Sequence, residues 1–118
     1  MRTHIVVFVL LLAVFVSTPA RAHAFLDHAS PLVGSTVRAA PREVSLSFTQ
    51  NLEPAFSKVE VTDSNGNRVD QGNAQISGST MRIGLRTLPA GSYRVRWRAL
   101  SVDTHTTEGS FTFRVGGQ

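Results

Sequence analysis

From residue 43 onward the chain alternates apolar and polar positions with a period of two. Val44, Leu46 and Phe48 are interleaved with Glu43, Ser45 and Ser47, and Val59 and Val61 with Lys58, Glu60 and Thr62. Met81, Ile83 and Leu85 follow the same rule, as do Tyr93, Val95, Trp97 and Ala99 against Arg94, Arg96 and Arg98. Phe111, Phe113 and Val115 close the series against Thr112 and Arg114. Such alternation describes strands that pack one face on a core and leave the other in water. Ser64-Asn65-Gly66-Asn67 is a turn signal, because Asn and Gly tolerate positive φ. Pro41 starts one strand and Pro89-Ala90-Gly91 introduces another. Residues 70–80 are small and polar and are expected to form a loop with one short strand, and residues 51–56 a single helical turn. About seven short strands in one small domain predict an all-β fold, a two-sheet Greek-key β-sandwich.

The opening of the chain is different. Met1-Arg2-Thr3-His4 precedes twelve uninterrupted apolar residues, Ile5–Val16. That run falls within the roughly 7–15 residues of a secretory h-region and short of the roughly 20 that span a bilayer. Ser17, Thr18 and Pro19 break it, and Ala20-Arg21-Ala22 offers a small-x-small cleavage site. Residues 1–22 are therefore expected to be a signal peptide and residues 23–118 the mature domain. A cut after Ala24, at Ala22-His23-Ala24, is the competing frame. Neither a twin arginine nor a cysteine for lipid attachment is present, so the expected product is exported without a membrane anchor.

Removing the leader leaves ten basic and eight acidic residues, a net charge of +2. That balance does not argue for nucleic acid. The arginines at 94, 96 and 98 line one strand face, for which solvation is the first explanation and an anion site the second. The absence of cysteine means that stability rests on core packing and that no thiolate is available to a metal.

A cut behind Ala22 makes His23 the first residue, with an α-amine and an imidazole available to one metal ion. Asp103 and His105, two apart, would face the same side in an extended chain. Nitrogen donors with one carboxylate suit Cu(II), with zinc or nickel as lesser occupants. An isolated Asp-x-His pair equally describes a polar turn. His28 is by default a solvated histidine, and Met81, the single methionine after the leader, is by default core packing. There is no Gly-x-Ser-x-Gly elbow, phosphate loop or His-Glu-x-x-His pair.

These residues taken together resemble the CopC family of exported copper-binding proteins. The resemblance runs through His23-Ala24-Phe25-Leu26, Ser30-Pro31, Pro41–Phe48, Leu88–Arg98, Ser101-Val102-Asp103-Thr104-His105 and Gly109–Val115. It implies an immunoglobulin-like or cupredoxin-like sandwich holding one Cu(II) ion through His23, Asp103 and His105. Some members carry a further glutamate ligand where this chain reads Phe48-Thr49-Gln50, so that ligand is not assigned. Others carry a methionine-rich Cu(I) loop, which the corresponding residues 63–82 reduce to Met81. The implied role is a periplasmic (extracellular if there is no outer membrane) copper carrier or buffer in homeostasis or resistance, not an enzyme. The implied partner is a separate CopD-like inner-membrane protein. Two other readings compete: a histidine-brace copper oxygenase, for which no exposed aromatic face is apparent, and a metal-free sandwich module for interaction.

Overall fold

A computed structural model of the chain describes residues 24–117. The alternating segments become strands β1 (Leu26–Ser30), β2 (Thr36–Val37), β3 (Glu43–Phe48), β4 (Lys58–Asp63), β5 (Asp70–Ser77), β6 (Thr80–Leu85), β7 (Gly91–Leu100) and β8 (Thr106–Val115). They form two four-stranded sheets, ordered β1-β3-β6-β5 and β2-β8-β7-β4, between which the chain crosses repeatedly. All pairings are antiparallel except β2 with β8. The expected all-β sandwich is therefore the observed one. β2 exceeds the expected strand number because two residues are too few to show a period.

Two local expectations resolve differently. The stretch 51–56 does contain one helical turn, a 3₁₀ turn at Pro54–Phe56. Residues 70–80, expected mainly as loop, instead supply the eight-residue edge strand β5. Its register shifts between Gln71 and Gln75, around Gly72 at φ 76°. A bulge of this kind breaks the period of two, and an edge strand needs little apolar surface. Only Ala74 and Ile76 of its central residues pack against the core, so its sequence reads as a loop.

The core lies between the sheets, where Val44, Leu46, Met81 and Ile83 of one meet Val61, Val95, Phe111 and Phe113 of the other. Met81 is fully buried, the packing role expected of it. Tyr93 stacks on Phe113 with ring centroids 5.5 Å apart and donates its hydroxyl hydrogen to the carbonyl of Pro89. Burial, and then the charge of Asp63, push the Tyr93 phenol above its ordinary pKa. The turn at Ser64–Asn67 forms as expected, with the Asp63 carboxylate accepting from the amides of Asn65 and Asn67, each at 2.9 Å.

One buried carboxylate ties the sheets together. Asp70, at the start of β5, accepts a 2.6 Å hydrogen bond from the amide of Val61 in β4. Arg68 grips the same carboxylate through Nε and Nη2, both at 2.9 Å, and reaches Glu60 at 3.3 Å. The hydrogen bond to Asp70 is the main reason that the guanidinium pKa rises above its usual value. Such a carboxylate is costly to bury alone and is tolerated because both of its oxygens accept hydrogen bonds, two at Oδ2 and one at Oδ1. Replacing it with alanine leaves the buried Val61 amide without an acceptor. Asp70→Ala is expected to lower unfolding stability by about 2–4 kcal/mol, measured by urea denaturation.

Candidate metal centre

The candidate ligands sit where β7 turns into β8. Pairing of these strands ends at Leu100↔Thr106, and residues 101–105 must reverse direction. Ser101 organises the reversal. It is fully buried, its amide donates to the His105 carbonyl at 3.0 Å, and its carbonyl accepts from Thr104 at 2.8 Å. Its hydroxyl accepts from the His105 amide at 3.3 Å, and the next residue, Val102, donates to the Asn51 carbonyl at 3.1 Å. A buried serine thus replaces the hydrogen bonds that the strand ladder no longer supplies.

Asp103 and His105 project from this turn and are both exposed. Thr104 between them has φ 71°, a left-handed conformation that a β-branched residue adopts only when its surroundings require it. The extended-chain argument for their facing one side therefore does not apply. What joins them is a tight turn closed on Ser101. Among the described residues no group of three potential metal-ligating side chains assembles. His28 is exposed on β1, opposite Ser47 and 3.9 Å from Asp27. His23 lies outside the described residues.

The chain segment that follows His23 is held at this same end. Ala24 is fully buried, and its carbonyl accepts a 2.6 Å hydrogen bond from the hydroxyl of Thr107. The Phe25 amide donates to Thr49 Oγ1 at 2.9 Å, and the Thr49 amide returns a bond to the Phe25 carbonyl at 2.9 Å. The segment is therefore clasped by both sheets, by Thr107 from one and Thr49 from the other, before entering β1. Neither threonine was singled out from the sequence. Both occur in polar runs whose hydroxyls carry no periodic signal.

Trp97 lies close to this end, in the layer next to the clasp. Its ring meets Phe48 edge-on at 5.0 Å and passes over Gly109, its cross-strand partner. A Cβ on Gly109 would stand 2.4 Å from Trp97 Cζ2, so the indole occupies the space that any other residue there would fill. The tryptophan is half-buried and packs against the core.

These features define an all-β sandwich with an imidazole, a carboxylate and an anchored N-terminal segment at one end. The chain belongs to the CopC family: the family model described as the CopC domain matches residues 26–116. The chain is 33% identical to the copper transport protein CutJ of Bacillus subtilis (strain 168), over 93% of its own length but only 21% of that protein. It is 36% identical to copper resistance protein C of Escherichia coli, over 85% of this chain and 86% of the relative. Among solved structures it is similar to PcoC, a methionine-rich copper resistance protein from Escherichia coli. The TM-score is 0.71 at 37% identity, covering 80% of this chain and 99% of that one. The chain thus spans about a fifth of CutJ but most of the small relatives. The names of these relatives describe copper resistance and copper transport, which favours a copper-binding protein over the oxygenase reading. Among the described residues no helix is long and apolar enough to cross a membrane.

The clasp is directly testable. Thr107→Val keeps the shape and removes the hydroxyl, with an expected loss of about 1 kcal/mol of stability. Hydrogen exchange at the Phe25 amide is expected to accelerate more than at amides in the middle of β3. Equal acceleration throughout would show that Thr107 supports the sandwich generally and not the N-terminal segment.

Proposed function

We propose that this chain is an exported copper-binding protein of copper homeostasis or resistance, which carries one Cu(II) ion at a site built on His23, Asp103 and His105. In this reading residues 1–22 are cleaved as a leader and residues 23–118 form the carrier. The observation that carries the reading is the hydrogen bond from Thr107 to the carbonyl of Ala24. It tethers Ala24, the first described residue, to the strand that begins just after His105, which supports the reading.

The donor set fits the cupric ion. A free α-amine and two imidazoles supply nitrogens, and Asp103 supplies an anionic oxygen that offsets metal charge. Such N/O sets favour Cu(II) in tetragonal geometry, whereas Cu(I) seeks thiolates and thioethers. Here the chain has no cysteine, and Met81 is fully enclosed by the core. Gln50, where some family members place a carboxylate ligand, offers only an amide, which leaves a single carboxylate to the site. A hard, nitrogen-rich site disfavours reduction and suits storage and delivery, with the copper handed to a separate CopD-like membrane protein. The names of the relatives, copper resistance protein C and copper transport protein, support copper as the cargo.

Two outcomes are expected. The exported protein, weighed intact with and without copper, has the mass of a chain beginning at His23 and takes up one equivalent of Cu(II). A chain beginning at Phe25 would remove the basis of the site. His23→Ala, or acetylation of the α-amine in the otherwise unchanged protein, lowers Cu(II) affinity by at least about a hundredfold. That is the upper end of what losing even an outer-shell partner costs. An unchanged affinity in competition titration would refute the N-terminal ligand.

A further inference from the structure

The positive charge of the domain is segregated on one face. The described residues carry ten basic and eight acidic side chains. Five of the ten, Lys58, Arg94, Arg96, Arg98 and Arg114, occupy the outward positions of β4, β7 and β8. Only Glu60 and Glu108 share that face, and Glu60 is engaged by Arg68. The remaining surface carries as many acids as bases, since Asp70 is buried. Cross-strand register places Arg98 between Lys58 and Glu108, Arg96 between Glu60 and Ser110, and Arg94 between Thr62 and Thr112. Among the described residues, the side chains of Arg94, Arg96 and Arg98 make no hydrogen bond or ion pair, whereas those of Arg68 and Arg114 do. Side chains two apart on a strand recur about every 6.8 Å, so β7 offers a straight row of three unpaired guanidiniums.

A second feature borders this face. Leu32 and Val33, in the turn between β1 and β2, are 66% and 59% exposed. The turn is seated against β8: the Gly34 amide donates to the Thr112 carbonyl at 2.8 Å, and the Arg114 amide to the Ser35 carbonyl at 2.8 Å. Gly34 at φ 72° lets the chain reverse there and leaves the two aliphatic side chains in water. Exposed aliphatics at the margin of a flat basic surface match the layered chemistry of a lipid interface, with phosphates outermost and hydrocarbon beneath.

We propose that the outer face of the β2-β8-β7-β4 sheet docks on an anionic lipid surface, with the arginine row over the headgroup phosphates and Leu32–Val33 inserted at its edge. Guanidinium is suited to phosphate because its planar donors pair with two oxygens at once. An acidic protein segment would match the arginines but leaves the aliphatic pair unexplained. The proposal does not depend on the copper site, whose ligands lie at the opposite end of β8 from Arg114. Electrostatic attraction of this kind acts within a Debye length, so the sheet face itself must approach the membrane.

The test is co-sedimentation of the copper-free exported protein with vesicles of phosphatidylglycerol and phosphatidylcholine, and with vesicles of phosphatidylcholine alone. Binding is expected to the mixed vesicles only, and to vanish at about 1 M salt, where the screening length falls to about 3 Å. The triple variant Arg94→Thr/Arg96→Thr/Arg98→Thr, with residues that suit exposed strands, is expected to bind roughly a hundredfold more weakly, since each basic group at an anionic surface contributes several-fold. The corresponding triple lysine variant keeps the charge and retains binding. Val33→Ser, which removes apolar surface without changing charge, weakens binding without altering its salt dependence. Absence of binding to the mixed vesicles overturns the proposal, as does undiminished binding of the threonine variant. Loss of binding in the lysine variant to the same extent also overturns it. Binding of soluble polyglutamate with no vesicle uptake would assign the face to an acidic protein instead.

Discussion

The unbroken antiparallel pairing of β7 with β8, from Gly91↔Val115 to Leu100↔Thr106, is the constraint on which the rest of the molecule depends. Because side chains alternate along a strand, this one register decides several things together. It puts Trp97 opposite the only kind of residue that accommodates it, Gly109. It sends Tyr93, Val95, Phe111 and Phe113 into the core and Arg94, Arg96 and Arg98 to the opposite face. It places Thr107 two residues beyond His105, where it holds the carbonyl of Ala24. A slip by one residue would bury the arginines, expose the aromatic core and carry Thr107 away from the N-terminal segment. The clash of a Cβ at position 109 with Trp97, at 2.4 Å, acts against some misregistered pairings, since only Gly109 tolerates the indole.

How far the fold is legible in the sequence follows from where the period of two survives. In β3, β4, β6, β7 and β8 one face is buried, so the alternation is strong and the strands are readable. β5 is an edge strand interrupted at Gly72 and anchored by a buried carboxylate rather than an apolar residue, and its polar sequence resembles a loop. Asp70 is the telling case. Its burial depends on a partner two residues away, Arg68, and on the Val61 amide across the sandwich, and the second is invisible in the chain. The candidate ligands show the same division. Asp103 and His105 were legible as a pair, but the reason they share a turn is Ser101, a buried polar residue with no distinctive sequence signal. The clasp formed by Thr107 and Thr49 is a tertiary fact joining positions far apart in the chain.

The two ends of β8 carry different chemistries. Thr106–Gly109 lies beside the ligand turn, the clasp and the Phe48–Trp97 pair. Thr112–Val115 lies beside β2 and the exposed Leu32–Val33 turn. A domain with a docking margin at one end and a cargo site at the other can be held and remain open for metal exchange. The sandwich between them is packed without soft metal donors at its surface, and its single methionine is enclosed, so the interior does not compete for copper.

The anchoring of Ala24 also bears on how a cupric site can depend on protein export. In the precursor the nitrogen of His23 is a peptide nitrogen and does not act as an amine ligand at neutral pH. Cleavage behind Ala22 would convert it into an α-amine without needing any rearrangement of the sandwich, since the hydrogen bonds at Ala24 and Phe25 involve residues on the retained side of the cut. On the proposed reading, the fold supplies a preformed turn bearing Asp103 and His105, together with a fixed point next to the new terminus. Proteolysis supplies the last donor. Metal capture in that arrangement costs little ordering of the backbone, because the segment next to the terminal ligand is already clasped by both sheets. The same economy makes the site intolerant of register. A cut two residues later would remove both His23, the proposed ligand, and Ala24, the residue whose carbonyl Thr107 holds.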